Sequence, residues 1–323
     1  MFNYHSNFIH NYYKDGIILT KSDNIVYHYT SPEGFLGILT NHNVRFTDIR
    51  YMNDRSEGVY FVKLLLEFIE KNKGVYPYAE EVVNNLLSKN NPNDIKALKT
   101  TNIKYSVIGG RTKPARAFLF CTCSDADSLN MWNYYVKNGS YQGYSVGIRV
   151  SAFLESIGSC FPKDKNVSIY YGKVLYSKKE QQEEVENLLQ TIEKNATNTT
   201  IPTLALYLKR YIDLYGVFYK HPKFSGEQEY RFVIEFNDEF SDRAELDFLD
   251  WIKNSSIITE EFCIKNGIIT PFLNVPFEYN VISRVYISPM TEFDIAKASI
   301  KELIYKNDYK MIAIHQSNIP IRY

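Results

Sequence analysis

The sequence lacks several features that would narrow its function at once. Its 323 residues carry no net charge, since 37 Lys and Arg balance 37 Asp and Glu, so no overall attraction to nucleic acid or membrane is expected. Four cysteines in so long a chain do not make a disulfide framework. No apolar run reaches membrane-spanning length, and the first residues lack the cationic start and apolar run of a signal peptide. These absences predict a cytoplasmic protein.

Common catalytic signatures are missing as well. The sequence contains no G-x-x-x-x-G-K-[ST] phosphate loop and no G-x-G-x-x-G after a strand, so neither usual nucleotide site is indicated. It also has no H-E-x-x-H and no G-x-S-x-G. Cys121 and Cys123 have no second Cys or His pair to complete a zinc set, so no metal site is predicted. We expect both thiols to be free and to share one face of a strand.

The composition is that of a folded, aromatic-rich domain. Hydrophobic residues make up 45% of the chain and charged residues 23%, with 27 Tyr and 20 Phe. Strand patterns occur at 24–30, 117–124, 143–150 and 229–236, and helical spacing occurs in 56–90 and 177–219. Because strands and helices do not alternate strictly, the pattern favours an α+β fold, with residues 1–323 as a single domain.

The strand at 229–236 has the clearest alternation. Glu229, Arg231, Val233 and Glu235 fall on one face, and the aromatic and aliphatic residues between them fall on the other. A mostly polar face beside an apolar one suits a strand that lines a cleft. It also suits a strand that faces solvent, and from the alternation alone we expect the solvent-facing strand.

Three segments carry the candidate chemistry. The first is VYHYTSPEGFLGIL, with His28 on a strand that leads into a helix. The second is CTCSDADSLNMWNYY, with Ser128 and Trp132 at the start of a helix, and the third is SGEQEYRFVI, with Glu227 and Glu229 before the strand. Each is weak alone, because a strand histidine, a helix tryptophan and a pair of glutamates are all common structural features. Their order along the chain gives them weight.

In that order the segments resemble the motifs of ADP-ribosyltransferases, in particular the histidine-containing, DarT-like branch that includes DNA- and RNA-modifying toxins. The chain is also similar to an uncharacterised bacterial family marked by YHYTS, RYMND, MW-x-Y and GEQEYR segments. Trp132 stands where many transferases have Tyr, although Tyr134 and Tyr135 are close by. The E-x-E form is usual in enzymes that begin with Arg rather than His, which leaves the acceptor undetermined.

The resemblance implies a split, mixed or antiparallel β-sheet around an NAD cleft, with helical insertions at about 56–105 and 177–219. It implies NAD as a substrate, a protein or nucleic-acid acceptor, and a role as a bacterial toxin or phage-defence effector. Glu229 would stabilise the positive charge that develops on the ribose, and Glu227 would orient or deprotonate the acceptor. The residues implied to contact NAD are His28, Thr30, Arg50, Tyr51, Asn53, Ser128 and Trp132.

Three rival functions remain open. One is hydrolysis of NAD without a macromolecular acceptor, and another is a non-catalytic module that binds a nucleotide or a partner protein. The third is a metal-dependent nuclease that uses His28, Asp125, Asp127 and Glu229. Residues 89–116 hold seven Lys and Arg against one Asp, which indicates either a nucleic-acid patch or solvated surface.

Overall fold

A computed structural model of the protein describes residues 9–14, 17–18, 24–51, 60–88, 116–136, 142–161, 167–236, 250–265 and 267–320. Its strands are β1 (Ile9–Lys14), β2 (Ile17–Ile18), β3 (Ile25–Thr30), β4 (Asn43–Asp48), β5 (Arg116–Cys123), β6 (Tyr144–Arg149), β7 (Val167–Lys173), β8 (Glu229–Phe236), β9 (Thr259–Lys265), β10 (Ile268–Pro276), β11 (Ile282–Ile287) and β12 (Ala313–Gln316). Its helices are α1 (Pro32–Asn41), α2 (Tyr60–Lys71), α3 (Pro77–Ser88), α4 (Leu129–Tyr135), α5 (Val150–Ser159), α6 (Lys178–Asn195), α7 (Ile201–Tyr215) and α8 (Phe293–Lys306). Short 3₁₀ helices are η1 (Ile49–Tyr51), η2 (Gly216–Phe218) and η3 (Pro222–Glu227).

The strands form one sheet with the order β12-β11-β6-β3-β5-β8-β7-β1-β2. Its strand pairs are antiparallel except for β11 and β12, which are parallel. The α+β class and the mixed, mostly antiparallel sheet are therefore confirmed. The four strands predicted at 24–30, 117–124, 143–150 and 229–236 all belong to this sheet.

The sheet branches at β5. Strand β3 pairs with β5 through one residue pair, Tyr27 with Cys123. Farther along the same edge, β4 pairs with β5 through Thr47 and Leu119. From β4 a second arm of the sheet continues to β10 and then to β9. Two strands thus diverge from one edge of β5.

One face of the sheet is covered by α1, α5 and α8. Phe120, Phe153 and Phe232 are central in the core on this side. Helix α1 begins as its sequence predicts, because the Ser31 side chain accepts a hydrogen bond from the Gly34 amide and Pro32 occupies the first turn. This layer is the larger apolar core of the described residues.

The opposite face is covered by α2, α3, α6 and α7, which lie in the two regions predicted to be helical insertions. They pack together over Leu119, Tyr170 and Val233 of the sheet. Ser177 caps α6, with its hydroxyl accepting from the Glu180 amide at 3.5 Å, as expected of a Ser that Glu follows three residues later. On the same side of the sheet, α4 packs against β3 through a smaller aromatic cluster.

The polar face of β8 lies under these helices. Glu229 is 2% exposed and Arg231 is 0% exposed, and Glu235 is also buried. The solvent-facing interpretation of this strand is therefore wrong, because the helical layer that packs on Val233 covers this face of β8. Among the described helices, none is long and apolar enough to cross a membrane.

Candidate active site

The three motif segments lie on adjacent strands of the sheet. Strand β3 is next to β5, and β5 is next to β8. Their registers place Tyr27 opposite Cys123 and Cys123 opposite Glu229, which makes one row across three strands. Residues in one such row point to the same face, with about 4.8 Å between neighbouring strands. The fold therefore gathers segments that are about 200 residues apart in the sequence.

Glu229 is the centre of a buried ionic cluster, which consists of Lys220, Glu227, Glu229 and Arg231. Its Oε2 atom accepts from Arg231 Nη2 at 2.8 Å and from Lys220 Nζ at 3.4 Å. The Glu229 amide donates to the Tyr176 hydroxyl at 3.3 Å. Arg231 in turn donates to the carbonyl of Val217. Two cations and one strand backbone thus fix this carboxylate.

Glu227 joins the cluster through the same lysine. Its Oε2 atom is 2.5 Å from Lys220 Nζ, at the end of η3. Gln228 between the two glutamates has a φ of 43°, the left-handed conformation, and its carbonyl accepts from the Ser124 amide. This turn lets both carboxylates of the E-x-E segment approach one ammonium group.

The environment separates the pKa values of the two carboxyls. Burial would raise the pKa of Glu229, but Arg231 and Lys220 outweigh it and hold that pKa well below its ordinary value. For Glu227, burial has the larger effect and raises the pKa, although Lys220 opposes it. Glu229 is therefore the carboxyl that stays ionised, and Glu227 is the one that takes up a proton more readily.

Tyr135, Tyr176 and Cys121 surround the cluster. Burial, followed by the charges of Glu229 and Glu227, raises the pKa of Tyr135. The pKa of Tyr176 is raised by burial and by Glu229. The Cys121 thiol lies within hydrogen-bonding reach of the Glu229 carboxylate. The two tyrosine hydroxyls therefore stay protonated beside a fixed anion.

His28 does not join this cluster. Because side chains alternate along β3, His28 projects from the face opposite to that of Tyr27 and Glu229. Its ring packs against Phe120, with centroids 4.6 Å apart, and borders a small apolar cavity. Its Nδ1 is 3.0 Å from the Cys121 carbonyl, which accepts only, so Nδ1 carries the proton. The structure therefore does not bring His28 and Glu229 together, because their side chains lie on opposite faces of the sheet.

The histidine still has an indirect link to Glu229. Burial lowers the pKa of His28, which keeps its ring neutral. The Cys121 carbonyl that it binds belongs to the residue whose thiol reaches Glu229. The imidazole thus fills the gap where β3 and β5 diverge and fixes the backbone of Cys121.

Trp132 is a core residue rather than an open stacking surface. Its side chain is fully buried, and its Nε1 donates to Asp127 Oδ1 at 2.8 Å. Its ring meets Tyr29 edge to face, with centroids 4.7 Å apart. The structure therefore places the Trp132 ring in the core, with neither face exposed to solvent.

Ser128 has a structural role at the start of α4. Its side chain makes no capping hydrogen bond, and its amide donates to the Tyr29 hydroxyl at 2.7 Å. The same hydroxyl donates to the Asp125 carbonyl at 2.8 Å. Tyr29 therefore fastens the turn between β5 and α4 to β3.

Asp127 fixes the segment that follows β12. Its Oδ1 accepts from Ser317 Oγ at 2.6 Å, and its Oδ2 accepts from the Asn318 amide at 2.7 Å. With Trp132 as a third donor, its oxygens are engaged in structural bonds. Among the described residues, no three His, Cys, Asp or Glu side chains are grouped so as to hold a metal ion.

The remaining predicted contacts are scattered or lie outside the described residues. Thr30 lies on the same face of β3 as His28. Its hydroxyl packs so closely against Gly34 that a Cβ added to this glycine would lie 2.1 Å from it. Tyr51 is exposed at the end of η1. Asn53, the side chain of Arg50 and nearly all of the basic stretch 89–116 lie outside the described residues.

The sequence motifs did not indicate Lys220, Arg231 or Tyr135 as parts of the site. Lys220 follows η2 in a segment without a recognisable pattern, so only the fold shows its position. Arg231 stands on the polar face of β8, and its spacing of two from Glu229 was the available signal. Tyr135 stands three residues after Trp132, which places it on a neighbouring part of the same helix.

Residues 131–232 match the model of a family described as a protein of unknown function, DUF2971. The matched stretch begins within α4 and ends within β8, so it contains every member of the ionic cluster and Tyr135 but neither His28 nor Cys121. No curated protein and no solved structure matches the chain. Over those residues, the chain is similar to the DUF2971 family.

Proposed function

We propose that the protein cleaves NAD and transfers ADP-ribose to a macromolecular acceptor, with Glu229 as the charge-stabilising carboxylate. The observation that carries the proposal is the pair of buried carboxylates, Glu227 and Glu229, that share the Lys220 ammonium group beside three adjacent motif-bearing strands. Two carboxyls whose environments push their pKa values apart are the usual arrangement for dividing charge stabilisation from proton transfer.

In the proposed reaction, the bond between the ribose carbon and the nicotinamide nitrogen breaks. Both electrons go to the nitrogen, so nicotinamide leaves as a neutral molecule and positive charge develops on the ribose. An ionised carboxylate held beside that carbon stabilises the transition state more than the ground state. Arg231 and Lys220 support this role because they keep Glu229 ionised and immobile.

The acceptor then attacks the ribose carbon and loses a proton. Glu227 is suited to receive that proton because burial raises its pKa. Its ion pair with Lys220 has to open or shift for this step, so Lys220 would alternate between the two carboxylates.

We assign nicotinamide stacking to Tyr135 in place of Trp132. Tyr135 is partly exposed, and both glutamates influence its hydroxyl. His28 becomes a positioning residue that acts through Cys121. These assignments keep Glu229 and Glu227 in the roles that the resemblance implies and replace the roles of His28 and Trp132.

A non-catalytic binding module is the second candidate. The two ion pairs of Glu229 favour it. Because Lys220 and Arg231 already neutralise the Glu229 carboxylate, little negative charge is left to stabilise a positive charge that develops on the ribose. On this account the cluster is a structural support beneath a ligand surface, and NAD or a partner binds without being cleaved.

Incubation of the purified protein with NAD, followed by chromatography of free nicotinamide, separates the candidates. Release that requires added protein or nucleic acid, with ADP-ribose adducts found by mass spectrometry, is the expected result. Release without an acceptor identifies a hydrolase. NAD binding in calorimetry without release identifies a binding module, and the absence of both release and binding overturns the proposal.

A further inference from the structure

The hairpin formed by β9 and β10 ends the second arm of the sheet. Among the described residues, β9 has β10 as its one strand neighbour, so its other edge is not paired within them. Large apolar side chains stand open to solvent on this hairpin: Phe262 at 65%, Ile264 at 80%, Ile268 at 56% and Ile269 at 67% exposure. An exposed apolar edge strand is a template for pairing with another strand.

The sequence of β9 is complementary to itself in one antiparallel register. If two copies of β9 pair about a twofold axis at Cys263, Phe262 of each copy faces Ile264 of the other. Glu261 then faces Lys265, and this ion pair also occurs twice. Aromatic–aliphatic and opposite-charge pairs are the cross-strand combinations that stabilise sheets.

Other registers lack this match. A twofold axis at Phe262 would place Glu261 opposite Cys263 and Lys265 opposite Thr259, which leaves the charges unmatched. A parallel pairing in register would place Glu261 opposite its own copy, and like charges in direct opposition destabilise a sheet. A second copy of the strand, in the register about Cys263, satisfies both the apolar and the charged positions with the same few residues.

We propose that the protein forms a homodimer through antiparallel pairing of two β9 strands about a twofold axis at Cys263. Such an interface is isologous and closes on itself, so it yields a dimer rather than a fibre. It covers the exposed edge of each copy and continues the second arm of the sheet across the dimer. The proposal is independent of the proposed reaction, because it does not involve the ionic cluster.

A charge swap tests the register. Sedimentation velocity over a concentration series should show a monomer–dimer equilibrium for the wild type. Glu261→Lys alone, or Lys265→Glu alone, should weaken association by on the order of tenfold, because two attractive cross-strand pairs become repulsive. The double variant Glu261→Lys/Lys265→Glu should restore it. Ile264→Lys should abolish dimers, whereas Ile295→Lys, an equally exposed position on α8, should not.

Cysteine cross-linking tests the axis. Opposed residues of an antiparallel pair have Cα atoms about 4.5–5.5 Å apart, within the range that a disulfide spans. Mild oxidation with copper(II) phenanthroline, which takes up the two electrons released by the two thiols, should give a covalent dimer on a non-reducing gel. Cys263→Ser should eliminate the dimer, and Cys160→Ser, at a buried thiol, should retain it.

Thermal melting of each variant checks that it is folded. We expect it to be, because the side chains substituted at the dimer positions are accessible to solvent. A monomer at every concentration overturns the proposal. A dimer that is unaffected by the charge swap and by Ile264→Lys also overturns it, because a different surface would then be responsible.

Discussion

The stability of the buried cluster should depend most strongly on the ammonium group of Lys220. Lys220 contacts Glu227 at 2.5 Å and Glu229 at 3.4 Å, and its side chain is 7% exposed. The cluster as a whole is neutral, with two cations and two carboxylates. Lys220→Met retains the length of the side chain but leaves two buried carboxylates with Arg231 alone.

The loss of one partner from a buried ion pair costs about 3–5 kcal/mol, because the remaining charge stays buried without compensation. We expect Lys220→Met to lower the free energy of unfolding at pH 7 by about that amount. The matched control is Lys173→Met, which removes a half-exposed pair with Glu180 at 3.5 Å. That exposed pair should contribute at most about 1 kcal/mol.

Urea unfolding at pH 7, followed by circular dichroism, gives both values. Lys220→Met/Glu227→Gln should recover part of the loss, because it removes one of the uncompensated carboxylates. The defect of Lys220→Met should also shrink as the pH falls, since protonation of Glu227 relieves the excess negative charge. If Lys220→Met costs no more than Lys173→Met, the cluster is not the tightly buried network described above.

Three further predictions concern single side chains, and a fourth concerns the basic stretch 89–116. Trp132→Phe should lower the free energy of unfolding by about 1–3 kcal/mol, because Asp127 loses a buried hydrogen-bond donor. The affinity for NAD per folded molecule should stay unchanged. Reduced NAD affinity with an unchanged free energy of unfolding would show that Trp132 contacts NAD. Burial lowers the pKa of His28, so the folded protein resists protonation of this ring. The free energy of unfolding of the wild type should therefore fall as the pH drops below 6.5, the ordinary pKa of histidine. His28→Gln should flatten that part of the pH profile measured by urea unfolding. Tyr29→Phe should cost about 1–3 kcal/mol in urea unfolding, because Ser128 loses its buried acceptor and Asp125 its donor, and a change within error would refute this fastening role. If residues 89–116 bind nucleic acid, replacement of Arg111, Lys113 and Arg116 by Gln should flatten the salt dependence of binding, and salt-independent binding would argue against the patch.

Local sequence signals predicted the elements that depend on local chemistry. The strand at 229–236 has the predicted bounds, because its alternation of polar and apolar residues is strict. The start of α1 follows from Ser31 and Pro32, and the start of α6 follows from Ser177 with Glu180. Each of these signals acts within a few residues of the element that it specifies.

The orientation of His28 depended on information that no local pattern contains. The register between β3, β5 and β8 decides which residues of β3 share a face of the sheet with Glu229. A shift of one residue in that register would place His28 on the face of Glu229. The burial of Trp132 is similar, because Asp127, Tyr29 and the Ser317 segment meet only in the folded chain.

The hairpin of β9 and β10 was missed although the sequence contains a signal for it. The Asn-Gly dipeptide at 266–267 is a sequence signal typical of a two-residue hairpin turn, and Gly267 has a φ of 77°, which a side chain would disfavour. The alternation does not continue into β10, because Ile268 and Ile269 are consecutive apolar residues and stand on opposite faces of the strand.

The central claim is that the Glu229 carboxylate stabilises positive charge during cleavage of NAD, and one pair of variants tests it most directly. Glu229→Gln and Glu235→Gln make the same change on the same buried face of β8, six residues apart. With both proteins folded and saturated with NAD, Glu229→Gln should lower nicotinamide release by about a hundredfold or more, the scale expected when one preorganised electrostatic group is lost. Glu235→Gln should release nicotinamide at nearly the wild-type rate. Equal rates in the wild type and Glu229→Gln would contradict the account.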